Sequence, residues 1–438
     1  MNNKNKAFGL WSAVFLGIGS MVGAGIFIVI GQAGAMAGNI VWLSFVFGGL
    51  IALLSGYSLA KLAVCFQSRG GIVEYLVQGF GVNIFSGSMG IMFYFSQLIA
   101  VAAVAKSFGT YSATFMAHSS PFWINMFAIG IVLIFTLINL VGASIVAKSE
   151  NIIVIVKLSV LTIFTISAFF TIKPEYLSLS QMPPISGMVF AIGITFFAYQ
   201  GFSVITNTVE DMKNPQTTML KAMFISILLV AVLYIGTSVA VLRNLTLDQV
   251  LHTKDYALAV AAKPMFGEIG FKIIAITALL ATASAINATL FAVSDIGYAM
   301  AKEGSLPKVY EYHIYNSNEG LIVSALLIIP MILFFNLSQI TTVAAIIMLI
   351  VQGTTHIGHL NLIKNTGAKK YLVVLAIFSM FSIAAITLYS TYEKMPEIAY
   401  YLIATFAIAF SVEFMLRYIS KRVISKQTTN SCTTNYTS

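Results

Sequence analysis

The residues best placed to do chemistry in this sequence are peptide groups. In Gly17-Ile18-Gly19-Ser20-Met21-Val22-Gly23-Ala24-Gly25-Ile26-Phe27, four glycines fall within nine residues of an apolar run long enough to cross a bilayer. Glycine is about 1 kcal/mol worse than alanine inside a helix, so the run is expected to unwind midway and bare its N–H and C=O groups. In hydrocarbon such groups persist only where they line a cavity or hold a ligand. The N–H groups of a half-helix starting near Gly23 suit a carboxylate, and the carbonyls around Met21 suit a cation. Together they make a socket for a zwitterion. The competing reading is a close-packing face, because Gly19 and Gly23 have GxxxG spacing.

A second interruption stands in Ile192-Gly193-Ile194-Thr195-Phe196-Phe197-Ala198-Tyr199-Gln200-Gly201-Phe202-Ser203, where a glycine again sits among polar residues in an apolar run. Pro215, after Glu210-Asp211-Met212-Lys213-Asn214, forces that helix to end before it. Among the side chains, Lys157 is the most informative, since it lies inside the apolar stretch from Ile152 to Leu161. Such a placement is costly and marks a functional site by default. A lysine buried there can release and regain a proton during a cycle. The alternative is snorkelling to the inner interface, with Glu150 about two turns away. Asp295, about two turns before Lys302, is a possible gate residue or faces an aqueous vestibule. Glu413 and Arg417 form a helical i,i+4 pair and read as structural.

His356 and His359 share a helix face, but a metal needs a third ligand and none lies in their segment, so no metal is expected. The chain has no glycine-lysine nucleotide loop, which argues against transport driven by ATP on this chain; no cofactor is expected. A membrane-embedded enzyme would need a nucleophile-base pair or metal triad at membrane depth, for which that histidine pair is the only candidate. A channel is disfavoured because the polar residues form no continuous stripe. Cys65 and Cys432 carry no pairing signal.

The elements that must position these residues follow from composition. Hydrophobic residues make up 58% of the 438, and charged residues only 9%, against about 25% charged in a soluble domain. Twelve apolar segments of spanning length stand at 9–36, 40–63, 84–115, 122–142, 145–172, 187–209, 219–242, 268–301, 319–336, 339–363, 371–391 and 396–419. The chain reads as one all-α polytopic membrane protein domain over 1–438, with a lipid bilayer as its solvent. The net charge of +9 does not mark a nucleic-acid partner. With both termini cytoplasmic, only Lys173, Arg243, Lys254, Lys263, Lys272 and Lys394 fall outside, Lys106 falls within a span, and the rest lie on or toward the inner side. The first apolar run lacks a cleavage site and reads as the first span. Tyr94 and Gln97 give the third span a polar handle. Arg69-Gly70-Gly71 with Glu74-Tyr75 reads as a tight inner turn, and residues 243–267 as a weakly helical outer lid.

The two interrupted spans are the first and the sixth, five helices apart, as expected if two five-helix halves are related by an inverted repeat. A matched pair of interrupted segments is the best sequence pointer to a transporter's binding site.

Three stretches carry a family resemblance. Gly19 to Phe27 resembles the first-helix signature of the amino acid-polyamine-organocation transporters. Phe196-Phe197-Ala198-Tyr199-Gln200-Gly201-Phe202 with Glu210 to Pro215 is similar to their sixth-helix signature, and Ala299-Met300-Ala301-Lys302-Glu303-Gly304-Ser305-Leu306-Pro307 to their eighth-helix ending. The resemblance implies a LeuT-type 5+5 inverted repeat with 12 transmembrane helices, helices 1 and 6 discontinuous. Residues 1–8 would be a cytoplasmic N-terminus, 9–172 the first repeat, 187–363 the second, 371–419 two additional helices and 420–438 a cytoplasmic tail. It implies an amino acid substrate whose carboxylate meets N–H groups of Ala24 and Gly25, in the turn opened at Gly23. The substrate amino group would meet carbonyls at Met21, Phe197 and Gln200, with Ala198 and Gly201 completing the turn and Phe197 as an aromatic platform. Lys157 matches the lysine that replaces sodium in proton-coupled members, and Ser284 would be its neighbour. Two departures stand out: Ser203 replaces an acidic residue, and Asp295 stands where a basic one is usual, so both are possible gate positions. The expectation is a multi-pass secondary transporter of the inner (plasma) membrane, a proton-coupled symporter of a neutral amino acid working by alternating access. An amino acid or amine exchanger on the same fold is the alternative.

Overall fold

The computed structural model describes residues 8–68, 70–141, 144–171, 185–314 and 317–419. Its helices in chain order are α1 (Leu10–Ala37), α2 (Val41–Cys65), α3 (Ile72–Phe80), α4 (Ile84–Ala113), α5 (Pro121–Val141), α6 (Ser144–Ala168), α7 (Ile185–Tyr199), α8 (Pro215–Leu242), α9 (Leu247–Thr253), α10 (Ala257–Ala261), α11 (Lys263–Glu303), α12 (Glu319–Phe334), α13 (Leu337–Asn361), α14 (Ile363–Thr366), α15 (Lys370–Tyr392) and α16 (Glu397–Phe414). One short antiparallel β pair joins His313–Ile314 to Ser317–Asn318. Helices dominate because a chain this apolar must satisfy its backbone within each segment when water is absent. Each of the twelve apolar sequence segments falls on a helix. Among the described residues, nine helical stretches are long and apolar enough to cross a membrane; Leu10–Gly23, Ile152–Ala168 and Gly320–Phe334 are shorter apolar helices. Residues 1–7, 172–184 and 420–438, including the expected cytoplasmic tail, lie outside the described residues, as does Arg69 of the inner turn.

The interruption expected in the first span is corrected. α1 is helical from Leu10 to Ala37, through all four glycines. The glycines serve the alternative reading, close packing, and each admits a different neighbour. A methyl group at Gly17 would lie 2.6 Å from Ile205 Cδ1, at Gly19 2.8 Å from Val154 Cγ2 on α6, and at Gly23 2.7 Å from Ala285 Cβ on α11. α1 is thereby the axis on which α6, α7, α8 and α11 all pack. Bare backbone edges substitute for interdigitated side chains in that packing, as small residues do at helix contacts in lipid.

The sixth span does change its winding. α7 ends at Tyr199, and Gln200–Asp211 continues as a 3₁₀ helix. A 3₁₀ stretch of this length inside a span is uncommon and marks a hinge or strain. Its far end is tied to the start of α1: the Phe8 N–H donates to Asp211 O at 3.2 Å, and the Lys213 N–H donates to Phe8 O at 3.0 Å. The two sequence-singled segments therefore share a backbone bridge at one end.

Both connecting regions are more ordered than the sequence indicates. The outer stretch holds α9, started by a capping box in which Thr246 and Gln249 satisfy each other's backbone N–H groups, then α10. The Gln32 amide of α1 donates to Asp255 Oδ1 at 3.4 Å, and Thr341 Oγ1 of α13 donates to Gln32 Oε1 at 2.8 Å. This pins the outer stretch to two helices. Asp255 lies outside the spans, and its burial raises the carboxyl pKa. On the inner side Gly71, at φ 53°, turns the chain into α3, a helix the sequence reading took as a turn. α11 bends at Gly267 (φ 60°, ψ −152°), close to the predicted start of the eighth span. Cys65, at the end of α2, is buried with its Sγ 3.5 Å from Asn365 O, and Cys432 lies outside the described residues.

Gly17→Leu tests the packing role of the α1 glycines away from the candidate site. Overpacking there is expected to cost about 1–3 kcal/mol, read as a lower thermal unfolding temperature in detergent. An unchanged temperature would contradict the close approach.

Candidate functional site

The two segments singled out by sequence meet at their glycines. A methyl group at Gly25 would stand 2.5 Å from the Ala198 carbonyl oxygen and 2.7 Å from Tyr234 Oη, and Gly201 abuts the backbone of Ser20 and Met21. Met21, Gly25, Ala198 and Gly201 thus form one junction. Phe197 is buried on the last turn of α7. Ala24 is within the helix, but its side chain lies outside the described residues.

The junction is stitched by side chains that donate to main-chain carbonyls. Lys157 of α6 is fully buried, and its Nζ donates to Gly19 O at 2.7 Å. Snorkelling is therefore not what this lysine does. Tyr234 of α8, also fully buried, donates to Met21 O at 2.6 Å, with Ala198 O at 3.2 Å from the same hydroxyl. Further along α1, Tyr111 of α4 donates to Phe27 O at 3.2 Å. A carbonyl has two lone pairs, so it can take such a donor beside a helical partner. Tyr234 is held by its ring, edge-on to Phe45 at 5.7 Å and tilted to Tyr199 at 5.2 Å. Three carbonyls of α1 thus accept from side chains of three other helices, beside glycines packed directly on neighbouring backbone.

The remaining expected residues divide. Ser284 is buried on α11 beside Ala285, the residue facing Gly23, so it shares with Lys157 the region where α6 and α11 both pack on α1. Asp295, lower on α11, is exposed. Ser203 Oγ donates to Gln200 O at 3.1 Å, a bond local to the 3₁₀ segment. Tyr94, expected as a mid-depth handle, instead bonds Ser324 of α12 at 2.7 Å. Glu413 and Arg417 pair at 2.8 Å as anticipated.

His356 and His359 are buried on α13 and face serines of α2. His356 Nε2 is 2.9 Å from Ser55 Oγ; His359 Nδ1 is 2.7 Å from Ser58 Oγ, and its Nε2 2.8 Å from Thr366 Oγ1. No group of three or more potential metal ligands occurs among the described residues. Ser55 Oγ also donates to Gln352 Oε1 at 2.9 Å, and Gln352 Nε2 donates to Gln200 Oε1 at 2.7 Å. A buried polar chain thus runs from α2 through α13 to the turn between α7 and the 3₁₀ segment. Sequence reasoning missed Tyr234, Tyr111 and Gln352. Only knowledge of what each faces separates it from ordinary helix packing.

Comparison with known proteins covers the stretch that holds these residues. The amino acid permease family model matches residues 8–416. The chain is 34% identical to an uncharacterized protein of Methanocaldococcus jannaschii, over 97% of this chain and 98% of that one. It is 33% identical to the inner membrane transport protein YbaT of Escherichia coli, covering 95% and 97% of the two chains. It is 27% identical to the serine/threonine exchanger SteT of Bacillus subtilis, over 70% of each.

Two substitutions test the junction. Gly25→Val should abolish uptake of solute into vesicles while a folded protein is still recovered, because its Cβ has no room beside Ala198 and Tyr234; wild-type uptake would contradict the contact. Tyr234→Phe removes a donor shared by two buried carbonyls and should lower stability by about 1–3 kcal/mol, read by thermal unfolding in detergent. No loss of stability would show that the hydroxyl does not hold the junction.

Proposed function

The chain belongs to the amino acid permease family, and from that premise we propose that it is a proton-coupled symporter of a neutral amino acid. It is a multi-pass membrane protein and a transporter, not an enzyme. We place it in the inner (plasma) membrane with both termini cytoplasmic, built as two inverted five-helix repeats, 9–172 and 187–363, with two additional helices at 371–419.

The observation that carries the coupling is the burial of Lys157 with its ammonium on Gly19 O. A buried lysine is costly unless paired with polar groups, and here a partner is the backbone of the very helix that packs against the site. Losing the proton would weaken that bond and free α1 to move relative to α6. Ser284, in the same region, is the neighbour that would share or relay the proton. A proton gradient can then bias which face of the carrier is open, since a ligand shifts an equilibrium only through its different affinity for the two states.

The substrate site is the junction of α1 with α7 and the 3₁₀ segment. The closed packing of Gly25 on Ala198, and of Gly201 on Met21, is one state of an alternating-access cycle. In the loaded state the substrate carboxylate meets N–H groups at Gly23, Ala24 and Gly25, and its amino group meets carbonyls at Met21, Phe197 and Gln200. Four glycines make this the turn at which α1 yields most easily. Phe197 supplies an apolar platform. A neutral side chain fits because residues 197–203 contain no acidic group to balance a cationic one. Asp295 and Ser203 are gate positions in this reading.

Exchange is the second reading, favoured by the similarity to a protein named as a serine/threonine exchanger. Vesicles containing the purified protein separate the two. Symport requires labelled amino acid to accumulate when the outside is acidic and to stop when the gradient collapses. Exchange requires an internal amino acid and is indifferent to the gradient. Lys157→Ala should abolish gradient-driven accumulation in a folded protein; unchanged accumulation would remove the lysine from the mechanism.

A further inference from the structure

The chain from His356 to Gln200 has a direction. Ser55 gives its proton to Gln352 Oε1, so its Oγ accepts from His356 Nε2–H, and the imidazole is the tautomer with a bare Nδ1. Gln352 spends its two ends on Ser55 and on Gln200 Oε1. What remains at the far end is the Gln200 amide nitrogen, buried and with no hydrogen-bond partner among the described residues. His356 Nδ1 is unpartnered at the other end. Buried polar groups in native proteins are nearly always bonded, so an N–H pair held in place by three residues and given nothing to bond asks for an explanation.

Its position supplies one. Gln200 is the first residue of the 3₁₀ segment, between Ala198, whose carbonyl faces Gly25, and Gly201, which abuts Met21. Both neighbours belong to the junction proposed above to hold the substrate's backbone groups. We propose that the Gln200 side-chain amide reads the substrate's side chain, donating an N–H to an acceptor oxygen there. The transported class is then polar uncharged amino acids bearing a hydroxyl or amide oxygen, in preference to aliphatic ones of equal size. Gln352 is a positioning residue: by donating to Gln200 Oε1 it fixes which end of the amide is offered. Ser55 and His356 in turn fix Gln352. This rests on the amino acid transport reading and narrows it.

Threonine and valine are the decisive pair, since they have nearly one shape and differ by a hydroxyl for a methyl. A site built to hydrogen-bond a substrate hydroxyl rejects the analogue lacking it, because its own donor is then left unpaired. Uptake of labelled threonine and valine into vesicles should favour threonine by about tenfold or more in kcat/KM. Gln200→Met, of similar length but without the amide, should bring the ratio close to one. Gln352→Met should also lower the ratio, a readout that a merely packing role for Gln352 would leave unmoved. Folding of both variants is checked by monodisperse elution in detergent. If Gln200→Met is not recovered folded, the Gln352→Met ratio decides: a fall supports the inference and an unchanged ratio overturns it. A wild-type ratio near one, or equal losses of threonine and valine uptake in Gln200→Met, would overturn the inference while leaving amino acid transport standing. Vesicles that take up neither, nor any other amino acid, would overturn the transport reading and this inference with it.

Discussion

The structure turns on side chains that reach across helix boundaries to carbonyls of the first helix. In lipid there is no water to satisfy a buried ammonium or phenol, so a donor must find a protein acceptor. Lys157, Tyr234 and Tyr111, from three different helices, find theirs at Gly19, Met21 and Phe27 of one helix. The glycines let two of these helices approach: Gly19 meets Val154 of α6, and Gly25 meets Tyr234 of α8. Remove the bonds and the core loses three polar contacts to α1. The close packing and the polar contacts depend on each other, which is why a run so rich in glycine can remain wound.

The polar contacts on α1 differ in kind from its apolar ones. Bonds between a side chain and a carbonyl can be exchanged for bonds to a ligand of matching polarity, at little net cost. Apolar interlocking offers no such exchange. A zwitterion carries both polarities, and the junction offers carbonyls from two helices with backbone brought close by Gly25 and Gly201. The bridge between Phe8 and residues 211–213 couples the start of α1 to the end of the 3₁₀ segment, so the two segments are held together at that end.

Much of this was legible in the residues. Helical segments follow from hydrophobic length, and nine helical stretches among the described residues are long and apolar enough to cross a membrane. The glycine clusters pointed to two segments that do touch, and Lys157 to a buried contact with α1, because glycine and charge are both out of place in a membrane helix. What glycine does there was not legible. A cluster on one helix can mean unwinding or contact, and the choice depends on whether neighbours such as Ala285 and Val154 come close enough to use the space. The first span chose contact, whereas the sixth changed its winding at Gln200. Tyr234 and Gln352 were hidden for a different reason: their roles are set by partners more than 35 residues away in sequence, which no local pattern reveals.

The central claim is that the α1 junction with Ala198 to Gly201 is where the carried molecule sits. A structure determined in a lipid nanodisc with a saturating amino acid tests it most directly. The account requires density for the amino acid between Gly23–Gly25 and Ala198–Gly201, with Gly25 moved away from the Ala198 carbonyl. An amino acid bound elsewhere, with Gly25 still on Ala198 and Gly201 still on Met21, would contradict it.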